Sequence, residues 1–247
     1  MVKKIIFIIF LQSLGLKVFA EKSLLRVSVA TSNQMPLIDW KEGEKVGGGL
    51  LYDLYKAIAA EGGFQLDWKV VPRARLDDLV ERKLLDLRCY TAKEWVGNPD
   101  LYLWSKSFVT QEEAFIGYFK KDSEVSQNNL ELENQTVAVV AGYKYKSLES
   151  EAKKRNLTQV EVSKPEAMME LLLSGRVQYG LFTLSAFKWL VRNKNLTESS
   201  FTAPVALETQ KISCAIPKGS AFPAEKLLKI VNKVIDEKGK DLVRKYE

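Results

Sequence analysis

Residues 46–91 constrain the fold most, because their apolar pattern switches between the period of a helix and that of a strand. Leu51, Leu54, Tyr55, Ile58 and Ala59 recur at the spacing that gives a 3.6-residue helix one apolar face, and Gly62 and Gly63 stop it. Gly47, Gly48 and Gly49 precede that helix and suit a close backbone approach. Residues 64–71 alternate and carry aromatic and branched side chains, as a strand does. Pro72 and Arg73 open a second helical pattern through Leu76, Leu79 and Val80, and residues 85–90 return to strand. Alternation of this kind predicts an α/β fold with a mostly parallel sheet. Ligands in such sheets sit beyond the carboxyl ends of the strands, so Tyr90, Thr91 and Trp95 become candidate binding residues.

The pattern repeats on either side. A first strand over residues 24–31 ends in Ser32 and Asn33, and the loop behind it carries Met35 and Trp40, a candidate pocket wall. Residues 120–134 are polar and charged and read as a surface excursion. A second set follows: strands at 136–141, 157–162 and 177–183, with helices between and after them. Ser163 and Glu166 read as a capping box for the helix containing Met168 and Met169. Gly142 and Tyr143 sit where a strand gives way to a helix, a place where backbone N–H groups receive anions. Thr183 and Ser185 occupy the equivalent position after a later strand and either line a cleft or cap the next helix. A strand over 211–216 and a helix through Leu227, Val231 and Val234 close the chain, with Gly239 expected to break that helix. This last segment is too short for a domain of its own and must pack on an earlier layer. The reading is therefore residues 21–109 as the first part of lobe one, 110–207 as lobe two and 208–247 as the return to lobe one, with a hinged cleft between the lobes.

Residues 1–20 read as a cleaved secretory leader: Lys3 and Lys4, an apolar run too short to span a membrane, then Val18, Phe19 and Ala20 as a cleavage site. Three of the 37 basic residues fall in that leader against 31 acidic residues in the chain, so the mature protein carries +3. That charge supplies no field for nucleic acid. The chain has no histidine, which removes every His-dependent triad and the commonest metal ligand. No cofactor is expected. Cys89 and Cys214, both on predicted strands, are either a disulfide in an oxidising compartment or a pair of small buried hydrophobes.

Three motifs in order carry a resemblance. They are Gly49 to Leu54 continued by Ala57, Ile58 and Ala59; Pro72, Arg73, Ala74 and Arg75 followed by Asp86; and a tail of residues 212–219, Val231, Asn232, Gly239, Lys245 and Tyr246. On these the chain resembles the bacterial periplasmic solute-binding proteins of ABC transporters, in the group (family 3) that contains the polar amino-acid binding proteins. The resemblance implies the two-lobed type II fold with two crossovers, a small polar solute held between the lobes, and a monomer in the periplasm that meets an inner-membrane ABC permease or a sensor protein. It also places Arg75 beside the cleft, where an arginine grips a carboxylate or phosphate bidentately. The chain departs from the amino-acid binders at both charged clamps. Residues 91–100 contain Lys93 but no arginine, and Thr183, Leu184 and Ser185 stand where an acidic residue usually holds the ligand amine. An enzymatic alternative, a periplasmic dehydratase acting on a cyclic carboxylic acid, would have Glu94 and Glu208 as its first suspects. A third possibility is a ligandless sensory or interaction module, with the cleft plugged by Trp40 and Trp95.

Overall fold

The computed structural model describes residues 23–43, 45–119 and 131–246. The leader at 1–20 and most of the polar excursion at 120–134 lie outside the described residues. In chain order the elements are β1 (Leu24–Ala30), a hairpin of β2 (Asp39–Lys41) and β3 (Lys45–Gly48), α1 (Leu50–Gly62), β4 (Gln65–Val71), α2 (Leu76–Glu81), β5 (Arg88–Thr91), β6 (Tyr102–Trp104) and β7 (Val109–Gly117). They continue as β8 (Thr136–Val140), α3 (Leu148–Arg155), β9 (Thr158–Val162), α4 (Pro165–Leu173), β10 (Tyr179–Thr183), α5 (Leu184–Asn193), β11 (Val205–Pro217) and α6 (Ala224–Tyr246).

In the first lobe β1 runs parallel to β4 from Leu24 opposite Gln65 to Ala30 opposite Val71. On its other side β1 meets the approach to β5, where Ser28 N–H donates to the Leu87 carbonyl at 3.2 Å. The far end of β11 closes this layer, antiparallel to β5 and β6. Leu25, Val27 and Val29 from β1 pack with Leu51, Leu54 and Ile58 of α1 and with Leu227, Val231 and Val234 of α6 in one apolar cluster. Within it the Tyr55 hydroxyl donates to the Ser28 carbonyl at 3.0 Å and accepts from Cys89 N–H at 2.8 Å. That single ring therefore ties α1 to two strands, and burial pushes its pKa up to about 12. Asp86, fully buried, accepts from Arg26 Nε and Nη2 at 2.9 and 2.7 Å and from Ser220 Oγ at 2.9 Å. Burial alone would raise this carboxyl, but the hydrogen bonds from Arg26 and Ser220 outweigh it and hold the pKa below the ordinary value.

In the second lobe β9, β8 and β10 are parallel neighbours and β7 joins β10 antiparallel. α4 and α5 cover one face through Met168, Met169, Leu172 and Leu190 against Ala138 and Val140. α3 covers the other face, with Leu148 against Val137 and Val139.

β7 and β11 join the lobes. They pair antiparallel from Val205 opposite Phe115 to Ile212 opposite Val109, with a bulge between Ala206 and Glu208. Phe115 packs in the second lobe, while Ile212 packs with Trp95 and Ala92 in the first. Residues 109 and 207, where the sequence suggests the chain crosses, both lie in this paired ribbon. Cys89 and Cys214 face each other across β5 and β11 and are bonded as a disulfide.

Two local expectations are corrected. α4 has Lys164 at its N-cap with no side-chain cap bond, so Ser163 and Glu166 do not form a capping box; Pro165, whose missing N–H costs nothing in a first turn, opens the helix instead. α6 does not break at Gly239 but runs on to Tyr246, with Gly239 buried on the face that meets Phe108.

Candidate functional site

The lobes meet over a small cavity whose walls come from turns at the strand ends and the joining ribbon. β1 ends at Ala30, whose N–H donates to Asn33 Oδ1 at 3.0 Å, while the Trp40 indole N–H donates to the Asn33 carbonyl at 2.6 Å. Those two bonds fold residues 32–37 back over the sheet end, so that Ser32, Asn33 and Met35 line the cavity. β5 brings Tyr90 to the edge with a positive φ of 58°, an uncommon conformation for an aromatic residue. From there its hydroxyl hydrogen-bonds with Ser185 at the start of α5, and burial raises its pKa. Trp95, 4% exposed, lies in the short turn after β5, and its indole N–H has no partner.

The second lobe supplies Tyr143 and Tyr145 from the turn after β8, and Thr183 and Ser185 from the start of α5. Thr183 Oγ1 accepts from Ala186 N–H at 3.4 Å, so it caps α5 and lines the cavity at once. Between the lobes the guanidinium of Arg73 lies 5.0 Å from the centroid of the Trp95 ring and 4.5 Å from that of Tyr143. Gln111 stands in the ribbon and donates from Nε2 to Glu113 Oε1 at 2.8 Å, leaving its own Oε1 unpartnered. Burial, then the charge of Glu208, push the Glu113 carboxyl up to about 8, so it holds its proton at neutral pH. Glu208 itself accepts from the N–H groups of Lys146 and Ser147, ahead of α3, at 3.2 and 3.0 Å.

Contacts across the seam hold the lobes together: Tyr90 to Ser185, Arg73 over Tyr143, and Lys144 to Asp77 at 3.6 Å. The enclosed space is about 30 Å³, enough for roughly two waters. The lobes must therefore part for anything larger to enter.

Of the residues singled out from the sequence, Met35, Tyr90, Trp95, Tyr143, Thr183 and Ser185 line this cavity. Four do not. Arg75 is exposed. The turn at Arg73–Arg75 is a 3₁₀ helix, in which residues three apart share a side. Leu76 is buried, so Arg73 shares its inward side and Arg75 faces out. Trp40 packs against the core of lobe one and reaches the site only through its bond to Asn33, so it does not plug the cleft. Thr91 is 1% exposed, beneath the rim, on a strand position opposite Ser213. Gly142 lies at the seam, where a Cβ would come within 3.7 Å of the Ala74 nitrogen, and is not part of the cavity wall.

Sequence reasoning ranked Arg73 below Arg75, and it missed Gln111 and Tyr145 in the wall and Glu113 behind it. A signal for two of them was present: Gln111, Glu113 and Phe115 alternate along β7, so two polar side chains share a strand face with a core phenylalanine. Among the described residues there is no group of three His, Cys, Asp or Glu side chains able to hold a metal ion. No helix among them is long and apolar enough to cross a membrane.

No protein-family model matches the chain, and no curated protein matches it. Solved structures do. An arginine 3rd transport system periplasmic binding protein from Legionella pneumophila superposes with a TM-score of 0.70 at 15% identity, over 92% of this chain and 100% of that one. The sensor domain of a histidine kinase, described as similar to periplasmic binding proteins, gives 0.70 at 14% identity over 91% and 96%. An ancestral amino acid-binding protein that is a precursor of cyclohexadienyl dehydratase gives 0.68 at 17% identity over 91% and 95%. With whole-chain coverage in each case, the fold of this protein is the two-lobed α/β fold of the periplasmic solute-binding proteins.

Proposed function

We propose that this protein is a non-catalytic receptor that closes its lobes around one small polar solute, in the periplasm after removal of residues 1–20. The observation that carries the reading is the convergence of unspent polar groups on the interlobe cavity. The Trp95 indole N–H and Gln111 Oε1 lack hydrogen-bond partners, and Tyr90, Tyr143 and Arg73 bring aromatic and charged surface from both sides. Buried polar atoms without partners are rare in a finished core, and a ligand that pairs with them favours the closed state. The closed monomer then presents a surface that the open one lacks to an inner-membrane partner, an ABC permease or a sensor. Proteins of this fold include both a transport-system binding protein and a kinase sensor domain, so both partner types stay within this reading.

The dehydratase alternative has less support. Glu94 is exposed, Glu208 is spent on the N–H groups ahead of α3, and neither lines the cavity. The test is a thermal-unfolding screen of residues 21–247 against amino acids, small carboxylates, polyamines and sugars. A ligand that binds only the native state raises the melting temperature by an amount that grows with the logarithm of its concentration above Kd. At least one class is expected to give such a concentration-dependent rise with the ligand recovered unchanged. Conversion of a cyclic carboxylic acid into product would overturn the receptor reading.

A further inference from the structure

The guanidinium of Arg73 is the charge for which the cleft provides no answer. It stacks on Trp95 and Tyr143 but makes no hydrogen bond or ion pair among the described residues. Burial pulls its pKa below the ordinary guanidinium value, the direction expected of a desolvated cation, yet arginine stays charged in proteins. A desolvated cation with no counter-charge is costly, and a bound anion offsets that cost. The residues that line the cavity include Arg73 and no Asp or Glu. Of the acids outside the wall, Glu113, which acts on Arg73, stands behind Gln111 and is protonated at neutral pH.

The cleft therefore holds one positive charge and no negative one. An α-amino acid would bring an ammonium group that finds no carboxylate in the wall, and a basic side chain would face Arg73 itself. The two rings also fix where the guanidinium lies, and its N–H edges remain available for a bidentate carboxylate, a geometry that a lysine does not reproduce.

We infer that the cleft selects small carboxylates that carry no amino group, with Arg73 as the side chain that grips them. This rests on the solute-receptor reading above.

The test is calorimetric titration of the full mature chain with pyruvate and lactate against L-alanine, which has nearly the same shape but an ammonium group, and with L-arginine, glucose and spermidine as further arms. Pyruvate or lactate is expected to bind at least tenfold more tightly than alanine, with no heat from arginine. R73M is expected to lose at least tenfold in that affinity, and R73K to regain only part of it; thermal unfolding of each variant reports that it is folded, and R73K serves where R73M is not. Binding of alanine, arginine, glucose or spermidine with both acids silent overturns the carboxylate assignment and leaves the receptor reading standing. Silence from every arm overturns the receptor reading and this inference with it. Carboxylate binding unchanged by R73M and R73K removes Arg73 from the site.

Discussion

Glu113 shows what the cleft costs the fold. Its carboxyl keeps a proton up to about pH 8 in the folded protein, whereas the same group in the unfolded chain releases it near 4.5. Between those values the native state binds more protons than the unfolded one, so stability declines as pH rises through the window. Above about 8 the folded carboxyl ionises beside Glu208, with Arg73 the cation in reach. Tyr143 and Tyr145, whose pKa values are raised, stay neutral there. E113Q is expected to flatten the melting temperature measured from pH 5 to 9, and a slope identical to the parent's would show that another group carries it. The site was only partly legible at this scale. Aromatic residues at strand ends announce themselves by position, but Arg73 and Arg75 differ only in the pitch of one turn. The resemblance points to the second, whereas the tighter 3₁₀ turn turns the first inward.

Single helices and strands were easier to read, because burial on one face imposes a period. α1 shows it plainly, with Leu51, Leu54, Tyr55 and Ile58 all buried. Glycine is the ambiguous letter. Gly49 has φ of 99°, and a Cβ there would fall 2.4 Å from the Leu37 carbonyl oxygen, so both conformation and space demand glycine. Gly239 looks the same in the sequence but is an ordinary helical residue inside α6, where a Cβ would meet Ile235 and Phe108 at 3.6 and 3.7 Å, normal contact distances. G239A is therefore expected to stabilise the protein by roughly 0.5–1 kcal/mol, through helix propensity and a less free unfolded chain, read as a higher denaturant midpoint. A fall of more than about 1 kcal/mol would mean that the helix crowds Phe108 more closely than those distances say.

For the molecule as a whole, alternating helix and strand periods announce two α/β layers, while the long-range pairing of β5 with β11 leaves no local trace in either strand. The disulfide makes that pairing covalent. It closes a loop with a sequence separation of 125 residues, and all of lobe two lies inside that loop. Because a cross-link removes conformations from the unfolded chain, C89A/C214A is expected to lose roughly 2–5 kcal/mol in denaturant unfolding. A loss much below that range would indicate that the reduced, unfolded chain already holds β5 and β11 near each other.

The paired strands β7 and β11 leave the halves no slack tether. A two-stranded ladder flexes across its flat side far more readily than it shears within its own plane, because shear breaks every rung together. The register shifts between Ala206 and Glu208 along this ladder. On the receptor reading proposed above, admission of a guest is a swing about a single axis, like the cover of a book about its spine, and Gln111 and Glu113 ride on that spine.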